Sequence, residues 1–121
     1  MLRVLLVEDV PQFRKRLTEF FDGVMSGYDV DVAGSLSEAL ACLAAGPPDL
    51  VLLDLGIPAG PDDANPHWQH GDELLDRVRA IDPSAAVVVL SAEDRLTRDF
   101  LKLRQVDDFF SKDLPAAWEG E

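Results

Sequence analysis

At 121 residues, 47% of them hydrophobic and 28% charged, the chain has the size and composition of one globular domain rather than a disordered segment. Eleven Lys+Arg against 23 Asp+Glu give a formal net charge of −12, a field that repels a phosphate backbone and argues against nucleic-acid binding by this chain. No apolar stretch reaches the roughly 18 residues that span a bilayer, so no membrane association is expected. The first apolar run, Val4 to Val7, is cut short by Glu8 and Asp9, unlike a signal peptide. A single cysteine, Cys42, has no internal partner, which suits a reducing, cytoplasmic compartment.

Along the chain, short apolar runs alternate with helix-period segments. Val4-Leu5-Leu6-Val7, Leu50-Val51-Leu52-Leu53 and Ala86-Val87-Val88-Val89-Leu90 are unbroken aliphatic runs, the pattern of parallel strands covered on both faces. Tyr28 to Ala33 and Asp108 to Ser111 are half-polar and suit strands nearer the sheet's edges. Phe13, Leu17, Phe20, Phe21 and Val24 line one face of a first helix. Ser35 and Glu38 read as a capping box that opens a second helix, with Leu36, Ala39, Leu40 and Leu43 inward and Gly46-Pro47-Pro48 as its stop. Leu74, Leu75, Val78 and Ile81 mark a third helix ended by Asp82-Pro83, and Leu96, Phe100, Leu101 and Leu103 a short fourth. Repeated βα units predict an α/β fold with a doubly wound five-stranded parallel sheet.

Two places break the rhythm. From Gly56 to Gly71 run 16 residues with three prolines and three glycines, against about 2–6 for ordinary strand-to-helix loops, so this is an extended loop. It holds Asp62-Asp63 and His67-Trp68-Gln69-His70. A solvated loop is the expected setting for both histidines, and Trp68 suits either a partner contact or a lid. After Lys112 only nine residues remain, room for a turn or two around Leu114 to Trp118, so the fifth helix is expected to be short or absent.

In an open parallel sheet the working site lies outside the carboxyl ends of the strands. Glu8-Asp9, Asp54, Ser91 and Lys112 stand at four such ends. Crowded carboxylates repel unless a cation neutralises them, and hard oxygen ligands point to Mg²⁺. Asp54 could then attack phosphorus as a carboxylate nucleophile, with the Lys112 ammonium and the Ser91 hydroxyl stabilising phosphoryl oxygens.

Over nearly its whole length, 1–121, the chain resembles a response-regulator receiver domain of two-component signalling. Val4-Leu-Leu-Val-Glu-Asp9, Asp54-Leu-Gly-Ile-Pro58, Leu90-Ser-Ala92 and Asp107-Asp-Phe-Phe-Ser-Lys112 carry the resemblance. It implies the flavodoxin-like strand order 2-1-3-4-5 and Asp54 as phosphoacceptor. Mg²⁺ would be held by Glu8, Asp9, Asp54 and the Gly56 backbone carbonyl. Ser91 and Lys112 would hold the phosphoryl group, and Phe109 would be the aromatic that turns inward on activation. The implied donor is a histidine kinase or a phosphotransfer protein. A domain of this kind is no enzyme in its own right, beyond assisting its own phosphotransfer and autodephosphorylation. Asp113 stands after Lys112 where the family commonly has a cis-proline. That departure and the short end motivate an alternative, a phosphorylation-independent interaction module. An exposed sheet face beside the first helix would favour a homodimer or a downstream effector protein.

Overall fold

The computed structural model describes residues 2–24, 27–63, 65–91 and 106–111, with the backbone alone at residues 21, 23, 24, 91 and 108–111. Its elements are β1 (Leu2–Val7), α1 (Pro11–Val24), β2 (Tyr28–Ala33), α2 (Leu36–Ala45), β3 (Leu50–Asp54), α3 (Trp68–Ile81), β4 (Ala86–Ser91) and β5 (Asp108–Ser111). The strands form one five-stranded sheet in the order β2-β1-β3-β4-β5, with every pairing parallel. The doubly wound α/β fold expected from the alternating runs is thus present. The fourth helix, the residues after Ser111 and the Lys112–Asp113 bond lie outside the described residues.

The central strands read as unbroken apolar runs because both of their faces are covered. Leu5 and Val7 of β1, Val51 and Leu53 of β3, and Val87 and Val89 of β4 pack with Leu36, Ala39 and Leu43 of α2 and Leu74, Leu75 and Val78 of α3. The alternate residues Val4, Leu6, Leu52 and Leu90 form a second cluster with Leu17 of α1. Period-two alternation therefore sends neighbours to opposite cores. Burying each such Leu or Val side chain contributes about 1.5–3 kcal/mol, so these runs dominate the folding energetics.

Strand register sets the functional edge. Val7 pairs with Ala33 and Leu53, Asp54 with Leu90, and Ser91 with Ser111. The carboxyl ends of β1, β3, β4 and β5 therefore finish along one side of the sheet.

Helix ends show what spacing alone misses. Ser35 Oγ accepts from Glu38 N at 3.3 Å, but the Glu38 carboxylate takes the Ser35 hydroxyl at 2.9 Å. One half of the capping box is present, and its return arm goes to the side chain. Gly46 closes α2 by donating its N–H to Leu43 O. The third helix begins at Trp68, so the preceding connection ends at His67 rather than Gly71. His67 is the reason: its Nδ1 accepts from Gln69 N at 3.1 Å and does the work usually given to a Ser, Thr, Asp or Asn oxygen.

Two residues expected to face inward do not. Phe20 is 52% exposed and Ile81 49%. Each lies three positions beyond a buried residue, Leu17 and Val78, and so about 60° around the helix, off the sheet-facing stripe. Cys42 is partly buried against the larger core. Burial, followed by the nearby Asp31 and Glu38 charges, pushes its thiol above the usual value, which leaves it a weak nucleophile.

Candidate functional site

The site grows out of the way β1 and β3 end. Glu8 continues the sheet by one bond, donating its N–H to Ala33 O at 3.0 Å, before the chain turns into α1 at Pro11. Its carboxylate folds back to accept from Val10 N at 3.1 Å. Asp54 is the last residue of β3, and its Oδ1 accepts from Gly56 N at 3.0 Å, which fixes the turn that leaves the strand. As a result one carboxylate oxygen from each of Glu8, Asp9 and Asp54 lies within 4.8 Å of the others. Glu8 is fully buried and Asp54 is 5% exposed.

Two unit charges at that separation repel by roughly 3 kcal/mol at an effective dielectric near 20. The repulsion exceeds the worth of an ordinary surface ion pair, and a cation held between the three oxygens would relieve it. The donor set is entirely carboxylate oxygen, which fits a hard divalent ion such as Mg²⁺ better than a thiolate- or imidazole-seeking metal.

Not every residue singled out from the sequence can be placed. Ser91 ends β4, paired with Ser111, and Phe109 pairs with Val89; their side chains are outside the described residues, as is Lys112 entirely. Gly56 lies two residues past Asp54 with its N–H held by that carboxylate.

The extended connection after Asp54 is pinned rather than loosely solvated. Ile57 forms an antiparallel bridge with His67 and is fully buried. Pro58 O and Ala59 O accept from Leu36 N and Ser37 N at 2.9 and 3.0 Å, satisfying the first free N–H groups of α2. Asp63 accepts from Asn65 N and Ala59 N, which holds its carboxyl below the ordinary range. His70 Nδ1 lies 2.7 Å from Ile57 O, so this histidine is a part-buried fastener instead of a solvated loop residue. Trp68, in the first turn of α3, is 39% exposed with its ring stacked on His67.

Two further contacts escape any reading of spacing. Gly71 donates to Leu55 O at 3.2 Å and presses so closely that a β-carbon there would meet the Leu55 backbone. A glycine in the first turns of an amphipathic helix was the only signal. Arg14 reaches from α1 to donate its Nη1 to the Glu8 carbonyl at 3.1 Å.

No helix among the described residues is long and apolar enough to cross a membrane. The chain is 34% identical over 94 residues to the sporulation initiation phosphotransferase F of Bacillus subtilis, covering 78% of this chain and 67% of that protein. It is 33% identical over 110 residues to the protein-glutamate methylesterase/protein-glutamine glutaminase 3 of Rhodospirillum rubrum, covering 88% of this chain but 27% of that protein. This chain thus spans only about a quarter of the length of that methylesterase. Among solved structures, the response regulator TrrA of Thermotoga maritima in complex with Mg²⁺–BeF superposes with a TM-score of 0.72 at 27% identity, covering 99% of this chain and 96% of that one. The response regulator receiver domain family matches residues 4–117. A five-stranded sheet in the order 2-1-3-4-5, an acidic cluster at its carboxyl edge and that match together make the chain a member of the response regulator receiver domain family.

Proposed function

We propose that Asp54 is the phosphoacceptor of this receiver domain and that Glu8, Asp9, Asp54 and the Gly56 carbonyl hold Mg²⁺ beside it. The observation that carries the reading is the convergence of the three carboxylates within 4.8 Å at the ends of adjacent strands. An oxygen of the Asp54 carboxylate attacks the phosphorus of a phosphohistidine on a histidine kinase or phosphotransfer protein. The new O–P bond replaces the P–N bond, whose electron pair returns to the imidazole, and Asp54 becomes an acyl phosphate. Bound Mg²⁺ supplies positive charge against the carboxylates and the phosphoryl oxygens. Ser91 and Lys112 hold the transferred group, and Phe109 with Ser91 forms the two-state element that the new charge biases. The domain acts in the cytoplasm, assists its own transfer and autodephosphorylation, and passes its state to a second copy or a downstream effector.

Fluoroberyllate, tetrahedral and anionic like a phosphoryl group and present with Mg²⁺ in the TrrA complex, tests the site without a kinase. Bound fluoroberyllate resonances in fluorine NMR are expected only when Mg²⁺ is present. Their absence at saturating Mg²⁺ would overturn the assignment.

A further inference from the structure

Glu8 and Asp9 are neighbours, so the peptide group between them decides how both carboxylates are aimed. Its carbonyl belongs to Glu8 and accepts from Arg14 Nη1 at 3.1 Å. Because a peptide unit is planar, anchoring that oxygen fixes the plane from which both side chains depart. Arg14 is itself well placed to act as an anchor: it lies in the first turns of α1, its N–H donates to Val10 O at 3.0 Å, and Thr18 Oγ1 bonds its carbonyl at 2.8 Å. The guanidinium reaches Glu8 by crossing Gly34, the residue after β2. A β-carbon at Gly34 would overlap Arg14 Nη1 and stand 3.5 Å from its Cζ. Gly34 carries no left-handed backbone angle, so what its missing β-carbon provides here is room for the guanidinium.

We infer that Arg14 is a positioning residue for the Glu8–Asp9 pair, seated through the gap that Gly34 leaves open. The inference rests on the Mg²⁺ role given above to the acidic cluster. In this role Arg14 need contact neither phosphoryl group nor metal; it sets the angle of the main chain that presents two of the ligands. Its guanidinium, seated on the carbonyl between two of the ligands, also carries a positive charge that by itself would disfavour a divalent ion there. Positioning and competition therefore predict opposite signs when Arg14 is removed, and this makes the role measurable.

Mg²⁺ binding is measured by calorimetric titration on the full chain, with thermal midpoints recorded in parallel. Arg14→Ala is expected to weaken Mg²⁺ binding roughly tenfold, the scale of lost outer-shell support. Gly34→Ala should give a similar loss with Arg14 still in the chain, because the new methyl displaces the flexible guanidinium. The double variant should be no weaker than either single one, since the methyl then has nothing to displace. Arg14→Lys, which retains a donor and the charge, should restore part of the affinity. Unchanged or tighter binding in both Arg14→Ala and Gly34→Ala, with only the thermal midpoint altered, overturns the positioning role. So does strict additivity in the double variant. Failure of the unsubstituted chain to bind Mg²⁺ is a different result: it removes the metal role of the cluster itself, and the positioning role with it.

Discussion

Asp54→Asn is expected to reduce phosphoryl labelling by acetyl phosphate to background while leaving the fold intact. The asparagine Oδ1 still accepts from Gly56 N, the 3.0 Å bond that shapes the end of β3. The substitution removes the anionic oxygen that would attack phosphorus, and it removes one of three charges within 4.8 Å of each other. Relief of repulsion on the order of 3 kcal/mol per pair favours the folded state when no metal is bound. The thermal midpoint in chelator should therefore hold or rise, even though labelling is lost. Intact-mass measurement after acetyl phosphate treatment checks the first half, and a melt in chelator checks the second. Full labelling of the variant would remove Asp54 from its role. A clear fall in the midpoint would contradict the repulsive character of the cluster.

The second large effect lies outside the cluster. Gly71→Ala should destabilise the chain by about 1–3 kcal/mol, the usual cost of forcing atoms into a packed contact. Helix propensity points the other way, because alanine is better than glycine inside a helix by roughly 1 kcal/mol. The contact decides the sign. The added β-carbon would stand 2.5 Å from Leu55 O and 2.9 Å from Leu55 C, and would overlap Leu55 Cα. These are main-chain atoms, and no side-chain rotation relieves them. Leu55 O already accepts from both Ile57 N and Gly71 N, at 3.0 and 3.2 Å. Pushing α3 away therefore loosens the turn directly after Asp54, and slower labelling should accompany the lost stability. Urea denaturation measures the stability change; a variant as stable as the parent chain or more so would show that the close approach is not sustained in solution.

The sheet was legible in the sequence because strands buried on both faces leave continuous apolar runs, as at Leu50 to Leu53 and Ala86 to Leu90. Even β2 and β5, with their half-polar composition, occupy the expected residues. The convergence of Glu8, Asp9 and Asp54 was legible for a related reason: strand order, once inferred, brings the ends of β1 and β3 together. The connection after Asp54 was not. Its order comes from Pro58 and Ala59 carbonyls bonded to the start of α2 and from an imidazole at the cap of α3, and neither has a pattern in spacing. Phe20 and Ile81 show a second limit. Periodicity reports which helix face is apolar, but the width of the sheet beneath decides which of its edges is covered. Arg14 and Gly71 show a third, since a donor aimed at a carbonyl and a glycine chosen for contact leave no periodic trace.

The most direct measurement traps the acyl phosphate where it forms. The full chain is treated with acetyl phosphate, with and without Mg²⁺, then reduced with borohydride, which converts an aspartyl phosphate to homoserine, and mapped by peptide mass. Conversion at Asp54 that requires Mg²⁺ is the expected result. Conversion at another carboxylate, or equal conversion at Asp54 in chelator, would contradict the proposed role of the cluster.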